Sequence, residues 1–284
     1  MILITGATGN NGAELVKLFA ARNIPVRAMV RDASRAAAIS FPGVEIVEGD
    51  FSAPETLGAA LAGVERAFLL TPSSEQAEEQ QIDFVDAARK SGVAHVVKLS
   101  QLGADANSSA RFLRYHAAVE QFLQSSGMTY TFLRPNLYMQ GLLNFKSTIT
   151  AQNAFYAAAG DGRVSVIDVR DIAEVAFAAL TQSGHEDKIY DLTGPQALTH
   201  AEMAEQLSTA IGRDVRFVDV SSEAMRKALL EVGLPAWQAD GLVEEYALWS
   251  QDEAASISSD GETVLGRELR SFSEFARDYA SAFG

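Results

Sequence analysis

The sequence predicts a doubly wound α/β fold, with a parallel sheet at its centre and a smaller, mostly helical lobe after it. Three observations predict it. Short apolar runs alternate with amphipathic stretches through the first half of the 284-residue chain. A glycine-rich stretch, ITGATGNNG at 4–12, joins the first run to the first amphipathic stretch. Beyond about residue 136 the alternation fades and helical patterns dominate. Strands covered on both faces read as continuous apolar runs, the pattern of a parallel sheet between layers of helices.

The runs are MILIT (1–5), VRAMV (26–30), VEIV (44–47), RAFLLT (66–71), HVVKLS (95–100) and TYTFLR (129–134). Amphipathic stretches near 11–22, 54–62, 75–91 and 109–126 supply the crossover helices between them. Six strands joined this way suit the Rossmann order 3-2-1-4-5-6. Later, RVSVIDV (163–169), KIYDLT (188–193) and VRFVDV (215–220) read as strands, and helical patterns fall at 171–182, 199–212, 222–232 and 272–283. These pieces are too few for an independent second sheet. The expectation is a nucleotide-binding region at 1–136 and a smaller substrate lobe at 137–284, whose strands return to the main sheet. The two would form one folding unit, with a cleft at the carboxyl edge of the sheet.

Composition excludes several functions. Asp and Glu number 37 against 23 Lys and Arg, a net charge of −14, which argues against a nucleic-acid partner. There is no cysteine, so disulfides, thiol catalysis and thiolate metal sites are excluded together. No apolar run approaches the roughly 18–20 residues of a membrane helix, and strand-like MILIT stands where a signal peptide would begin. His95, His116, His185 and His200 are scattered without metal-ligand spacing. A cytoplasmic protein with neither metal nor membrane partner is expected. LPAWQADGLVEEYALW (234–249) offers a homodimer surface or packs around Trp237, Tyr246 and Trp249.

A glycine turn between a strand and a helix is built to hold a phosphate. Gly6 permits the tight turn, Gly9 lets backbone approach a pyrophosphate, and Gly12 lets the helix pack closely on the strand. Amides opening the helix near Asn10 and Asn11 would face the anion. The strand at 26–30 then ends in Arg31, with Ser34 and Arg35 nearby, where an NAD-binding chain places a carboxylate on the ribose. A guanidinium there suits the 2′-phosphate of NADPH. Asp32 follows immediately and leaves NADH as the alternative. Asp50 and Phe51 could flank an adenine, and Thr71-Pro72 could pass beneath the second ribose.

Gly6–Gly12, Arg31, GDF (49–51), LLTPS (69–73), HAAVEQFLQSSGMTYTFLRPNLYMQ (116–140) and IDVRDIA (167–173) together resemble the NmrA-like branch of the atypical short-chain dehydrogenases/reductases. The resemblance covers nearly the whole chain and leans toward bacterial NADPH:quinone oxidoreductases and triphenylmethane reductases. It implies an NADP(H) site at Gly6, Thr8, Gly9, Asn10, Asn11, Gly12, Arg31, Asp50, Phe51 and Thr71, with the nicotinamide near Ser100, Pro135 and Asn136. It also implies that Tyr138 and Met139 meet the substrate, although both equally suit core positions. The branch includes redox sensors that bind NADP(H) and catalyse nothing, which gives a second functional reading.

Ordinary short-chain dehydrogenases use a Tyr-x-x-x-Lys pair to move a proton. Tyr115 is followed four residues later by Val119, and no tyrosine in the chain has lysine at that spacing. Reduction of a simple ketone would then leave a strongly basic alkoxide. A quinone or cationic dye absorbs the incoming charge itself and needs mainly proximity to the hydride donor. The expected function is therefore hydride transfer from NADPH to a quinone or similar planar electrophile. Two residues remain as catalytic candidates through the resemblance: Ser100, at the superfamily's serine position, and His116. Glu120, one turn beyond His116, is expected to orient it. Asp168 reads as a strand end and Asp171 as the N-cap of the helix that follows.

Overall fold

The computed structural model describes residues 1–283. Strands β1 (Ile2–Ile4), β2 (Val26–Val30), β3 (Val44–Glu48), β4 (Arg66–Leu69), β5 (His95–Leu99) and β6 (Thr129–Pro135) alternate with helices α1 (Asn10–Ala21), α2 (Leu57–Ala60), α3 (Ala77–Lys90) and α4 (Arg111–Ser125). The chain continues through α5 (Lys146–Gln152), β7 (Ala154–Ala157), β8 (Arg163–Val164), α6 (Val169–Thr181), β9 (Lys188–Leu192) and β10 (Leu198–Thr199). It ends with α7 (His200–Ile211), β11 (Arg216–Asp219), α8 (Ser222–Glu231), α9 (Ala236–Trp249), α10 (Asp260–Leu265) and α11 (Phe272–Asp278). No helix among the described residues is long and apolar enough to cross a membrane. Two compact units result, each assembled from three chain segments.

The first unit comprises residues 1–107, 113–134 and 172–190. It holds a sheet of order β3-β2-β1-β4-β5-β6-β9, the expected Rossmann order extended by β9 at one edge. Successive strands are parallel, with Leu3 opposite Arg27 on one side and Ala67 on the other. Leu3, Phe84, Val96 and Phe132 form part of one apolar cluster and are fully buried, which explains why these strands carry so few polar residues. In α3 Glu78 and Glu79 occupy the first turn and Arg89 and Lys90 the last, complementing the helix dipole at both ends.

The second unit comprises residues 108–112, 135–171 and 191–284. It contains two small ladders, β7 parallel to β11 and β8 antiparallel to β10, where the sequence suggested no separate sheet. Its core gathers Phe155, Leu207, Phe272 and Phe275, all 1% exposed or less. Both α7 and α11 open with capping boxes, Thr199 with Glu202 and Ser271 with Glu274. RVSVIDV pairs as a strand only at Arg163–Val164. The Ser165 hydroxyl turns to the carbonyls of Ala254 and Ser256, and Asp168 starts a helix.

The expected N-cap is one turn too late. The α6 helix begins at Val169, and the Asp168 carboxylate accepts from the backbone N–H of Arg170 at 2.8 Å. Asp171 lies inside the first turn, fully buried, and its carboxylate accepts from the Arg267 and Arg270 guanidiniums and the Arg270 amide.

Candidate active site

The glycine turn is shaped by contacts that exclude side chains. Thr5 ties the end of β1 to β4, its hydroxyl donating to the carbonyl of Phe68 at 2.9 Å and accepting from the Leu70 amide at 2.8 Å. The chain then reverses at Gly6, whose φ of +59° suits glycine, and the Gly9 amide returns to the Gly6 carbonyl at 3.0 Å. A Cβ on Gly12 would sit 2.2 Å from the Gly6 carbonyl oxygen. Thr8, Gly9 and Asn10 are exposed, and α1 opens with Gly9 at its N-cap and no side chain capping its amides. Asn11 is 4% exposed, yet its Oδ1 has no hydrogen-bond partner. Bare helix amides and an uncluttered glycine ridge fit a dinucleotide diphosphate.

At the adenosine end, Arg31 is exposed and enters no hydrogen bond or ion pair among the described residues. Asp32 is engaged: its Oδ1 accepts from the Ser34 amide at 2.9 Å and the Ser34 hydroxyl at 2.6 Å. Those bonds hold its carboxyl below the usual range. The carboxylate that could have read a free ribose thus serves its own turn, while the neighbouring guanidinium stays available. The Asp50 carboxylate accepts in the same way from the Ser52 amide and hydroxyl. The Phe51 ring lies 5.5 Å from that of Phe84. The Thr71 hydroxyl oxygen accepts from buried Gln81 at 2.8 Å, leaving its proton for another acceptor.

At the ends of β5 and β6 the first unit buries an unusual set of polar side chains. The Ser100 hydroxyl donates to Glu120 Oε1 at 2.5 Å, and Arg134 grips both Glu120 oxygens at 3.0 and 2.5 Å. Glu120 therefore orients Ser100, whereas the sequence paired it with His116. The partner of His116 is Lys98, from the middle of β5, with Nζ 2.7 Å from Nδ1. Lys98 is fully buried, and burial pushes its ammonium pKa down to about 7; Arg134 acts the same way and Glu120 against it. Burial, then Lys98, holds the His116 imidazole well below its usual range, so it is neutral near pH 7. Tyr115, whose hydroxyl pairs with that of Ser73 at 2.9 Å, lies with its ring 4.2 Å from that of His116.

The remaining expected residues lie in the second unit. Asn136 is 6% exposed, and its amide donates to Ser165 and to the Ala254 carbonyl while its oxygen accepts from the Leu137 amide. Pro135 ends β6 and is buried. Met139, 2% exposed, belongs to that unit's apolar cluster. Tyr138 is partly exposed and bridges to Ile167.

This chain belongs to the NmrA-like family, whose pattern it matches over residues 1–276. It is 41% identical over 284 residues to an NAD(P)H azoreductase of Xenophilus azovorans, covering 100% of this chain and 99% of that protein. Its fold superposes with a TM-score of 0.88 on an NADPH-dependent quinone oxidoreductase of Escherichia coli complexed with NADPH, at 29% identity, covering 98% of this chain and 99% of that one. A triphenylmethane reductase of Citrobacter sp. complexed with NADP(H) superposes with a TM-score of 0.87 at 30% identity, covering 99% and 100%.

Proposed function

We propose that this protein is an NADPH-dependent oxidoreductase that passes hydride to a quinone or a similarly planar, electrophilic acceptor. The observation that carries the reading is the end-to-end likeness to an NAD(P)H azoreductase, joined to a glycine turn built for a dinucleotide. Cofactor binding falls to residues 1–136 and acceptor contact to residues within 137–284, with partly exposed Tyr138 the candidate and Met139 packed in the core.

Bound NADPH supplies the hydride. The protein's own residues do four things. The amides opening α1, which no side chain caps, hold the diphosphate end. Arg31 takes the 2′-phosphate, because Asp32 is committed to Ser34. The Thr71 hydroxyl, fixed by Gln81, donates to the second ribose. Glu120 and Arg134 fix Ser100 beneath the nicotinamide, while His116 offers Nε2–H to an acceptor that needs a proton.

The test is turnover of purified protein with NADPH against a panel of quinones, azo compounds and cationic triarylmethane dyes, followed by loss of nicotinamide absorbance. Turnover on planar acceptors and none on simple ketones is expected. Tight NADPH binding with no turnover on any acceptor overturns the reading and favours a redox sensor.

A further inference from the structure

The strongest unassigned feature is the lysine inside β5. A lysine with no exposed surface is rare unless a specific partner holds it. Among the described residues its only hydrogen bonds are to His116 Nδ1 at 2.7 Å and to the Leu99 carbonyl at 3.3 Å, and no carboxylate forms an ion pair with it. Glu120, the acid nearest in sequence on α4, is taken by Ser100 and Arg134. An ion-pair role for the lysine is thereby removed. What remains is a nitrogen that can only donate when charged, aimed at one ring nitrogen of one histidine.

Resting on the proposed reductase function, we infer that Lys98 is a positioning residue and proton store for His116, and that it matters only for acceptors that must be protonated. Donation from Nζ makes Nδ1 the acceptor and places the imidazole proton on Nε2. Nε2 has no partner among the described residues and is not among the sealed, unsatisfied atoms. The ring of Tyr115 against His116 keeps the imidazole from turning over.

The proton balance follows. With a quinone, the C–H bond of reduced nicotinamide breaks and its electron pair moves to the acceptor with hydrogen. The acceptor oxygen takes the proton from His116 Nε2, and an Nζ proton of Lys98 moves onto Nδ1. NADP and the hydroquinone are formed; water then protonates His116 Nε2 and the Nδ1 proton returns to Lys98, which restores both groups. With a cationic triarylmethane dye, hydride on the central carbon already gives a neutral product, so no proton is moved. The groups facing Lys98 set the pH range: His116 and Glu120 from α4 and Arg134 from β6. Burial and Arg134 favour the neutral amine and Glu120 the ammonium, so the store empties as pH rises through about 7.

The experiment compares Lys98→Met with the unaltered protein on one quinone and one cationic dye. The ratio of quinone to dye kcat should fall about 100-fold, the size of a lost general-acid contribution, and the fall in quinone kcat above pH 7 should disappear from the variant. Equal losses on both acceptors, or no loss, overturn the inference. Nitrogen-15 NMR of His116 in the unaltered protein is the second measurement and needs neither turnover nor a folded variant. A protonated Nε2 and bare Nδ1 are expected; the opposite tautomer overturns the pairing. If no acceptor is reduced, the reductase reading fails, while the NMR result still decides the Lys98–His116 geometry by itself.

Discussion

Gly12 rests on Gly6: a methyl group on Gly12 would lie 2.2 Å from the Gly6 carbonyl oxygen and 2.8 Å from the Ala7 Cα. Neither neighbour is a flexible side chain that can swing aside. Gly12→Ala must push α1 away from the turn, at about 1–3 kcal/mol, and draw the first helical amides off the diphosphate. A lower Tm and at least tenfold weaker NADPH binding, read by nicotinamide fluorescence, are expected. At Gly9 the same methyl meets only the Gly6 oxygen, at 3.3 Å. Gly9→Ala should therefore weaken the cofactor with little change in Tm. Reversal of that order would show that the turn is not set by backbone contact.

On the proposed reading, Arg31 sets which nicotinamide cofactor is preferred. A charge-assisted contact to phosphate contributes about 1.5–3 kcal/mol, so Arg31→Ala should weaken NADPH by about 10- to 100-fold and leave NADH nearly as before. Equal loss for both cofactors, in paired titrations, removes the 2′-phosphate assignment. Ser34→Ala removes the hydroxyl bond to Asp32 Oδ1, keeps the one from the Ser34 amide, and loosens the turn. That variant should bind NADH more tightly than the unaltered protein.

Acid stability should be governed by histidines buried in the neutral form: His116, described above, and two more. His95 is bonded through both ring nitrogens to Thr129 and Thr131. His200 stands among the rings of Phe155, Phe217 and Tyr246 with Nδ1 unpartnered. Burial pushes each from 6.5 down to about 4. Above pH 6.5 neither folded nor unfolded chain binds the proton, so the stability is fully present. Between 6.5 and 4 the unfolded chain takes up a proton that the folded chain refuses, and each histidine removes about 1.4 kcal/mol per pH unit. Urea midpoints should fall across that window, and His200→Phe should make the fall measurably shallower. A midpoint constant from pH 7 to 5 would contradict this account.

Asp171 holds three donors with one fully buried carboxylate. Asp171→Ala strands the Arg270 amide, while the partly exposed Arg267 and Arg270 guanidiniums can recover water. A loss of about 2–4 kcal/mol is expected by chemical denaturation. Asp171→Asn, which keeps the acceptor for the amide, should lose less.

Much of this was legible in the sequence because the signals were local. The six strands and their order follow from the apolar period, and Gly6, Gly9 and Gly12 stand where a strand becomes a helix. Arg31 ends the second strand in plain view. The Lys98–His116 pair was not legible from local spacing, since no lysine stands four residues after a tyrosine. Lys98 reaches α4 from another strand, so no fixed spacing records it. A signal did exist: a charged residue inside an apolar run of a sheet covered on both faces must have a partner. Glu120 was misjudged for the same reason, since helical spacing suggested His116 while β5 and β6 supplied Ser100 and Arg134. In the second unit β7 and β11 are distant in sequence, and strands of four residues leave too short a period to recognise.

The interleaving of the two units bears on how such proteins diversify. Each is stitched from three stretches, and residues 172–190 return to the first after 135–171 have served the second. No single cut releases either one whole. Recombination, which exchanges contiguous stretches of gene, cannot transplant one unit without tearing the other. New acceptor preferences in this lineage must then accumulate residue by residue, on a nucleotide scaffold inherited intact.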